Sequence, residues 1–259
     1  MNHLKPRLNF LTSFNFLLLV IFLTIIFFNF LDIYLFKESR NLNGIFFSFF
    51  KKVINPISDI FDPLNIIILS LLFYFILNSL KKTIKDPNKK MIILSKFSLK
   101  ESKVNDSFEY YQLIIKHILA SLILTGALCH VLKYIIGAAR PKYFFLHQYD
   151  RLNHFNIEHK VNALPSGHTQ AAFTVAILIY MYFNRFTLLV FMVAILIALS
   201  RIFMSMHFPS DLILGALIGT FFPILIYKIF FFKRFENFNK EKIIEFKTFL
   251  KFLCYKIYI

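Results

Sequence analysis

The chain has 259 residues, 58% hydrophobic and 17% charged, with 36 Phe and no Trp. So many Phe residues cannot all be packed into one soluble core of this length, so the composition describes an integral membrane protein folded as a single bundle. A formal net charge of +16 would suggest nucleic acid for a soluble chain, but the basic residues sit in short segments between apolar runs, which points instead to membrane orientation and anionic lipid heads.

Met1–Ser13 is short and carries Lys5 and Arg7. Phe14–Phe36 is the first apolar run, long enough to cross about 30 Å of hydrocarbon. No small-x-small cleavage pattern follows it, which favours an uncleaved helix over a signal peptide. In the loop Lys37–Asp62, residues Phe46, Phe49, Phe50, Val53 and Ile57 recur at helical spacing beside Lys51 and Lys52. This pattern predicts an amphipathic helix in the membrane interface, with a short connecting helix packed on the bundle as the alternative.

Pro63–Leu80 is the second run, followed by a polar loop, Lys81–Gln112, with Lys81, Lys82, Lys85, Lys89, Lys90, Lys96, Lys100 and Lys103. Leu113–Gly137 is the third run and Ala138–Pro165 another loop. Ser166–Phe183, Phe186–Met206 and Ser210–Phe232 are the fourth, fifth and sixth, with Asn184-Arg185 a tight connection between the first two of these. The tail, Lys233–Ile259, places Phe235, Phe238, Ile243, Ile244, Phe246, Phe249 and Leu250 on one helical face and reads as a basic helix on the membrane surface. The predicted fold class is therefore all-α: a polytopic six-transmembrane-helix bundle with an interfacial amphipathic helix. Residues 1–232 form the membrane domain and residues 233–259 a basic amphipathic cytoplasmic tail. Cys129 and Cys254 imply neither a disulfide framework nor a metal site.

With six spans, most Lys and Arg outside the runs fall on the side of the N-terminus, the 81–112 loop and the tail, which is then cytoplasmic. Three polar stretches fall on the opposite side. Lys133 and Arg140 are seven residues apart, which on one helix is close to two turns, roughly 10.5 Å along the axis, with Pro141 ending that helix. Two cations converging there suit a phosphoryl group; snorkelling to the interface is the plainer reading. Pro165-Ser166-Gly167-His168 opens the fourth run. A helix start offers free N–H groups to an anion, Ser166 adds a hydroxyl donor, Gly167 admits close approach, and His168 is placed to protonate a leaving oxygen. An ordinary helix start accounts for Ser166 but leaves His168 idle. In the third stretch, Asp211 follows His207 by four residues, and its carboxylate either caps a helix or holds one imidazole nitrogen, leaving the other as nucleophile. Arg201 would neutralise the phosphoryl oxygens. His147, His154 and His159 match no metal-site spacing.

Taken in order, Lys-x6-Arg-Pro, Pro-Ser-Gly-His and Ser-Arg-x5-His-x3-Asp resemble the signature of the type 2 phosphatidic acid phosphatase superfamily, which includes lipid phosphate phosphatases, bacterial acid phosphatases and vanadium haloperoxidases. Every signature position is present, over Lys133–Asp211. The resemblance implies a metal-independent membrane phosphatase that needs no cofactor. His207 is then the nucleophile forming a phosphohistidine, Asp211 its orienting partner and His168 the general acid. Lys133, Arg140, Ser166, Gly167 and Arg201 form the phosphate cradle. The implied partner is a phosphorylated lipid of the cell envelope: lipid A, phosphatidylglycerol phosphate, phosphatidic acid or undecaprenyl diphosphate. No nucleic acid and no obligate protein partner are implied. A phosphotransferase passing the group to a second lipid is the nearest alternative, and a non-enzymatic transporter or structural membrane protein is the alternative from another class. The bias toward Phe, Ile, Lys and Asn suggests an AT-rich bacterial genome, hence an inner-membrane location with the site on the periplasmic or outer face.

Overall fold

A computed structural model describes residues 6–42, 44–60, 62–83, 94–97, 99–183 and 186–257. Lys5, Lys85, Lys89, Lys90 and the Asn184-Arg185 connection lie outside the described residues. Among the described residues the chain is helical, with no β-strand and one isolated bridge, Ala138 to Leu152. Four helices among the described residues are long and apolar enough to cross a membrane: Phe14–Asn41, Gly44–Lys82, Glu101–Ile136 and Pro209–Glu236. The fourth and fifth predicted runs form shorter helices, Gly167–Tyr182 of 16 residues and Thr187–Phe203 of 17, each some way short of about 30 Å at 1.5 Å per residue.

Contacts divide the chain into two compact units. The smaller contains Ile67–Ala120 and Ile226–Ile259, and here two expectations change. The stretch taken as the end of a polar loop is helical from Glu101 onward. Its lysines mask a 3.6-residue period: Val104, Phe108, Tyr111 and Ile115 are all buried. The apolar face of Phe246–Ile257, expected on the membrane surface, is covered by protein instead. Phe249 stacks on Tyr111 at 4.5 Å and meets Phe108 edge-on at 5.1 Å. Tyr111 Oη donates to the Ile244 carbonyl at 2.7 Å, and the Ile244 N–H to Ser107 Oγ at 2.8 Å.

The larger unit, His3–Ile66 with Ser121–Leu225, carries all three polar stretches. The apolar residues of the 44–60 segment divide between protein and surface. Phe50 and Ile54 are buried and pack on Phe203, while Phe46, Phe49 and Val53 stay exposed. Two helices of this unit, Gly167–Tyr182 and Pro209–Ile226, approach through Gly215 and Gly219. A Cβ on Gly215 would lie 2.7 Å from the Ser166 carbonyl oxygen, and one on Gly219 2.4 Å from that of Gln170. Small residues four apart let membrane helices touch backbone to backbone. Gln170 adds a buried polar tie, donating to Thr125 Oγ1 at 2.7 Å and Thr174 Oγ1 at 3.0 Å.

Gly219→Ala is therefore expected to force the two helices apart, at a cost on the order of 1–3 kcal/mol, read as a fall in the thermal unfolding midpoint in detergent. Gly126→Ala is the control, since a Cβ there meets nothing within 4 Å. Equal midpoints for the two variants would show that the helices do not need this close approach.

Candidate active site

The helix Thr187–Phe203 ends in a tight turn that leads into Pro209–Ile226. Ser205 adopts a left-handed conformation, φ 56°, and the N–H groups of Met206 and His207 both donate to the Arg201 carbonyl, at 3.0 and 3.3 Å. Pro209 suits a first helical position, where no N–H is needed. Asp211 reaches back from the third position and accepts the Phe208 N–H on Oδ2 at 2.8 Å, one half of a capping box. The same oxygen faces His207 Nδ1 at 3.2 Å. The cap and the imidazole anchor, alternatives in the sequence, are thus one interaction. A carboxylate at Nδ1 makes that nitrogen the protonated one and leaves Nε2 with its lone pair.

His207 is 3% exposed. Burial, followed by the charges of Lys133, Arg140, His168 and Arg201, pulls its pKa well below the ordinary imidazole value, so the ring is neutral at physiological pH. Every cationic or basic residue singled out in the motifs thus acts electrostatically on this one ring.

Lys133 and Arg140 arrive differently from the expectation of one continuous helix. Glu101–Ile136 stops at Gly137, which is left-handed at φ 60°. A Cβ there would lie 1.7 Å from the Asn153 carbonyl oxygen, so only glycine fits this C-terminal cap. Residues 138–140 then run between two segments of the following loop. Ala139 N donates to the Arg151 carbonyl at 3.1 Å, Arg140 N to that of Lys160 at 3.0 Å, and Ala163 N to that of Ala138 at 2.9 Å. Pro141 does not end a helix but begins one, Pro141–His147, with Arg140 as its N-cap. Lys133 Nζ donates to the Asn162 carbonyl at 3.0 Å. Arg140 Nη1 contacts Met206 Sδ at 3.6 Å, and its buried Nε has no hydrogen-bond partner among the described residues.

Ser166 caps Gly167–Tyr182. Its Oγ accepts from Thr169 N at 3.4 Å and Thr169 Oγ1 at 3.0 Å, leaving its own O–H as a donor. Its N–H donates to the Asp211 carbonyl at 2.9 Å, tying the second stretch to the third. A Cβ on Gly167 would meet no atom within 4 Å; the protein alone does not require glycine there. His168 follows in the first turn and is partly exposed.

Arg201 is held by residues that the motifs do not contain. Its Nη2 bonds Asn55 Oδ1 and, at 2.8 Å, Ser58 Oγ, while Nε donates to Ser200 Oγ at 3.2 Å. Arg151 was also missed: its Nη2 pairs with Asp32, and its guanidinium lies 3.7 Å from the Phe208 ring centroid and 4.4 Å from that of Phe28. Asp32 alone carried a signal, as an isolated acid in an apolar run; Asn55, Ser58 and Arg151 sit among other polar residues. Among the described residues, no three His, Cys, Asp or Glu side chains gather where a metal ion could be held.

Residues 115–235 match the model of the PAP2 superfamily. The chain carries a PAP2 superfamily domain. Lys133, Arg140, Ser166, Gly167, His168, Arg201, His207 and Asp211 all lie inside the matched segment, whereas Asp32, Arg40, Asn55 and Ser58 lie outside it. The chain is 27% identical over 134 residues to a lipid A 1-phosphatase of Rhizobium johnstonii, covering 51% of this chain and 54% of that protein. It is 26% identical over 127 residues to the lipid A 1-phosphatase of Rhizobium etli, covering 49% and 55%. A bacitracin transport permease protein, BcrC of Bacillus licheniformis, is 32% identical over 72 residues, covering 27% of the chain and 36% of that protein. The chain thus spans about half the length of the two lipid A 1-phosphatases. No solved structure gives a significant match.

Proposed function

We propose that the protein is an integral membrane lipid phosphatase with six membrane-crossing helices. It releases inorganic phosphate from a phosphomonoester or diphosphate of an envelope lipid, at the outer face of a bacterial inner membrane. The observation that carries this reading is the His207 ring anchored on Asp211, with Ser166 N bonded to the Asp211 carbonyl and Arg140 against the neighbouring Met206, so that the three polar stretches meet there. Among lipid phosphates, lipid A or a similar envelope lipid is favoured by the two relatives named as lipid A 1-phosphatases.

In this mechanism His207 Nε2 attacks phosphorus as the bond to the lipid oxygen breaks, and His168 delivers a proton to that oxygen. The product is a phosphohistidine with the lipid alcohol, or a lipid monophosphate from a diphosphate, released. Water then attacks phosphorus, His168 takes its proton, and the N–P bond breaks to free phosphate and regenerate His207. Arg140, Arg201 and Lys133 stabilise charge on the transferring group, as preorganised donors do in a water-poor site. The Ser166 O–H and the backbone N–H groups at the start of Gly167–Tyr182 add to that cradle.

The test is phosphate release by purified protein from a panel of lipid phosphates that includes lipid A. No release from any of them would sink the reading. Because the cradle is built from Lys and Arg, activity is expected to survive excess chelator, and vanadate is expected to inhibit as a mimic of the five-coordinate transition state. Activity lost in chelator and restored by one divalent ion would require a metal-assisted site instead.

A further inference from the structure

We infer that one face of the first apolar helix, bearing Asp32, Phe36 and Arg40, is a clamp that sets the geometry of the turn carrying His207. The inference deepens the phosphatase reading, since the turn it holds is the one that reading makes catalytic.

The three residues are spaced i, i+4, i+8 on Asp32–Asn41 and so share one helix face, about 12 Å long. Each meets a different part of the connection between Thr187–Phe203 and Pro209–Ile226. At one end, buried Asp32 accepts from the N–H of Ser210 on Oδ1 at 2.8 Å and from Ser210 Oγ on Oδ2 at 2.5 Å. At the other, Arg40 donates from Nη1 to the Phe203 carbonyl at 2.9 Å and from Nη2 to the Ile202 carbonyl at 2.5 Å. Between them, Phe36 lies 5.5 Å from the ring of Phe208 and joins the buried cluster of Ala198, Ile202, Phe208 and Leu212.

The chemistry matches at both ends. The first N–H groups and last carbonyls of a helix have no partners within it. An acid satisfies the former and a base the latter, each also complementing the helix dipole. Asp32 and Arg40 do this for the two helices that flank Met204–Phe208. Arg201 stands in the last turn before this connection and Asp211 in the first turn after it. Arg151 completes the arrangement, pairing with Asp32 while lying against the Phe208 ring. Five π-helical residues, Phe27–Leu31, immediately precede Asp32. Such turns often occur at functional sites. Asp32 and Arg40 are thus positioning residues supplied from outside the segment that matches the superfamily.

The test uses full-length protein in detergent, with Asp32→Asn, Arg40→Gln, the conservative Arg40→Lys and, as control, Lys37→Ala at an exposed position on the same helix. Amide hydrogen exchange over residues 204–211 is expected to quicken at least about tenfold in Asp32→Asn and Arg40→Gln, with Lys37→Ala unchanged. In the same variants kcat should fall about tenfold or more with KM little changed, because a misplaced reacting group loses rate without losing ground-state binding. The folded fraction, read by size-exclusion chromatography in detergent, should stay full, whereas mere loss of folded protein would lower it in step with the rate. Arg40→Lys, which keeps the charge but not the two-pronged contact, should lie between wild type and Arg40→Gln. Unchanged exchange over 204–211 in both Asp32→Asn and Arg40→Gln overturns the clamp, whatever the activity. So does a rate loss that only tracks the folded fraction. Quickened exchange in a protein whose wild type releases no phosphate would leave the clamp standing and remove the phosphatase reading instead.

Discussion

His207→Ala is expected to abolish phosphate release and phosphoenzyme formation while the protein remains folded and inserted in the membrane. Removal of a nucleophile that works as a unit with its partners costs on the order of 10^4–10^6 in kcat. The ring bears little of the fold: among the described residues its side chain bonds Asp211 alone, and the Phe208 N–H keeps that carboxylate occupied after the ring is gone. Asp211→Asn should be milder, because an amide oxygen can still accept the Phe208 N–H while its control of the imidazole tautomer is weakened. Asp211→Ala confounds the two roles by removing the cap as well, at about 1 kcal/mol. The lowered pKa of His207 adds a pH signature. Burial and the surrounding cations disfavour the imidazolium, so the acid limb of kcat/KM in wild type should fall below the ordinary imidazole value of 6.5. An acid limb at or above that value would contradict a buried neutral nucleophile. Phosphate release at a tenth of the wild-type rate or more by His207→Ala would remove this residue from the role altogether.

The chemistry of the site was legible because each motif residue answers a need that fixes both its type and its spacing. A His four residues before an Asp can share a cap, and a Pro-Ser-Gly-His run can open a helix toward an anion. What surrounds those residues was legible only in part. Gly137 precedes Arg140 by three residues and is the ordinary signal for a helix end, yet the seven-residue spacing of Lys133 and Arg140 also fits one helix. Gly215 and Gly219 show the four-residue spacing of close helix packing but lie inside an apolar run that fits a span without them. In the Lys-rich stretch the charge hides the buried face that Val104, Phe108 and Tyr111 mark. Asp32, Arg40, Asn55 and Ser58 are different. Their partners lie more than 140 positions away in the chain, and a polar residue does not by itself say which distant group it meets. In an apolar run, as at Asp32, its cost in hydrocarbon marks it as having a partner, but only the fold names that partner.

Arg201→Lys is expected to lower kcat about 10^2-fold or more, although the positive charge is kept. The guanidinium is anchored by Asn55 and Ser58 through Nη2 and by Ser200 through Nε, and Nη1 takes part in none of these bonds. A planar fork can therefore be held by protein on one side while offering donors to a phosphoryl group with another. Lysine has a single ammonium, a point charge on a flexible stem, and the same three anchors would draw it away from the transferring oxygens. Loss of an anchor should act in the same direction more weakly. Asn55→Ala leaves Ser58 and Ser200 in place and should cost about tenfold, in line with the loss of one hydrogen bond to a charged group. The comparison that decides is between substrate binding and turnover. If Arg201 acts chiefly on charge that develops in the transition state, both variants lower kcat more than they raise KM. A pure rise in KM would make Arg201 a headgroup-binding residue. Full activity in Arg201→Lys would mean that a bare positive charge is enough and that Asn55 and Ser58 merely tether the 44–60 segment to the helix end.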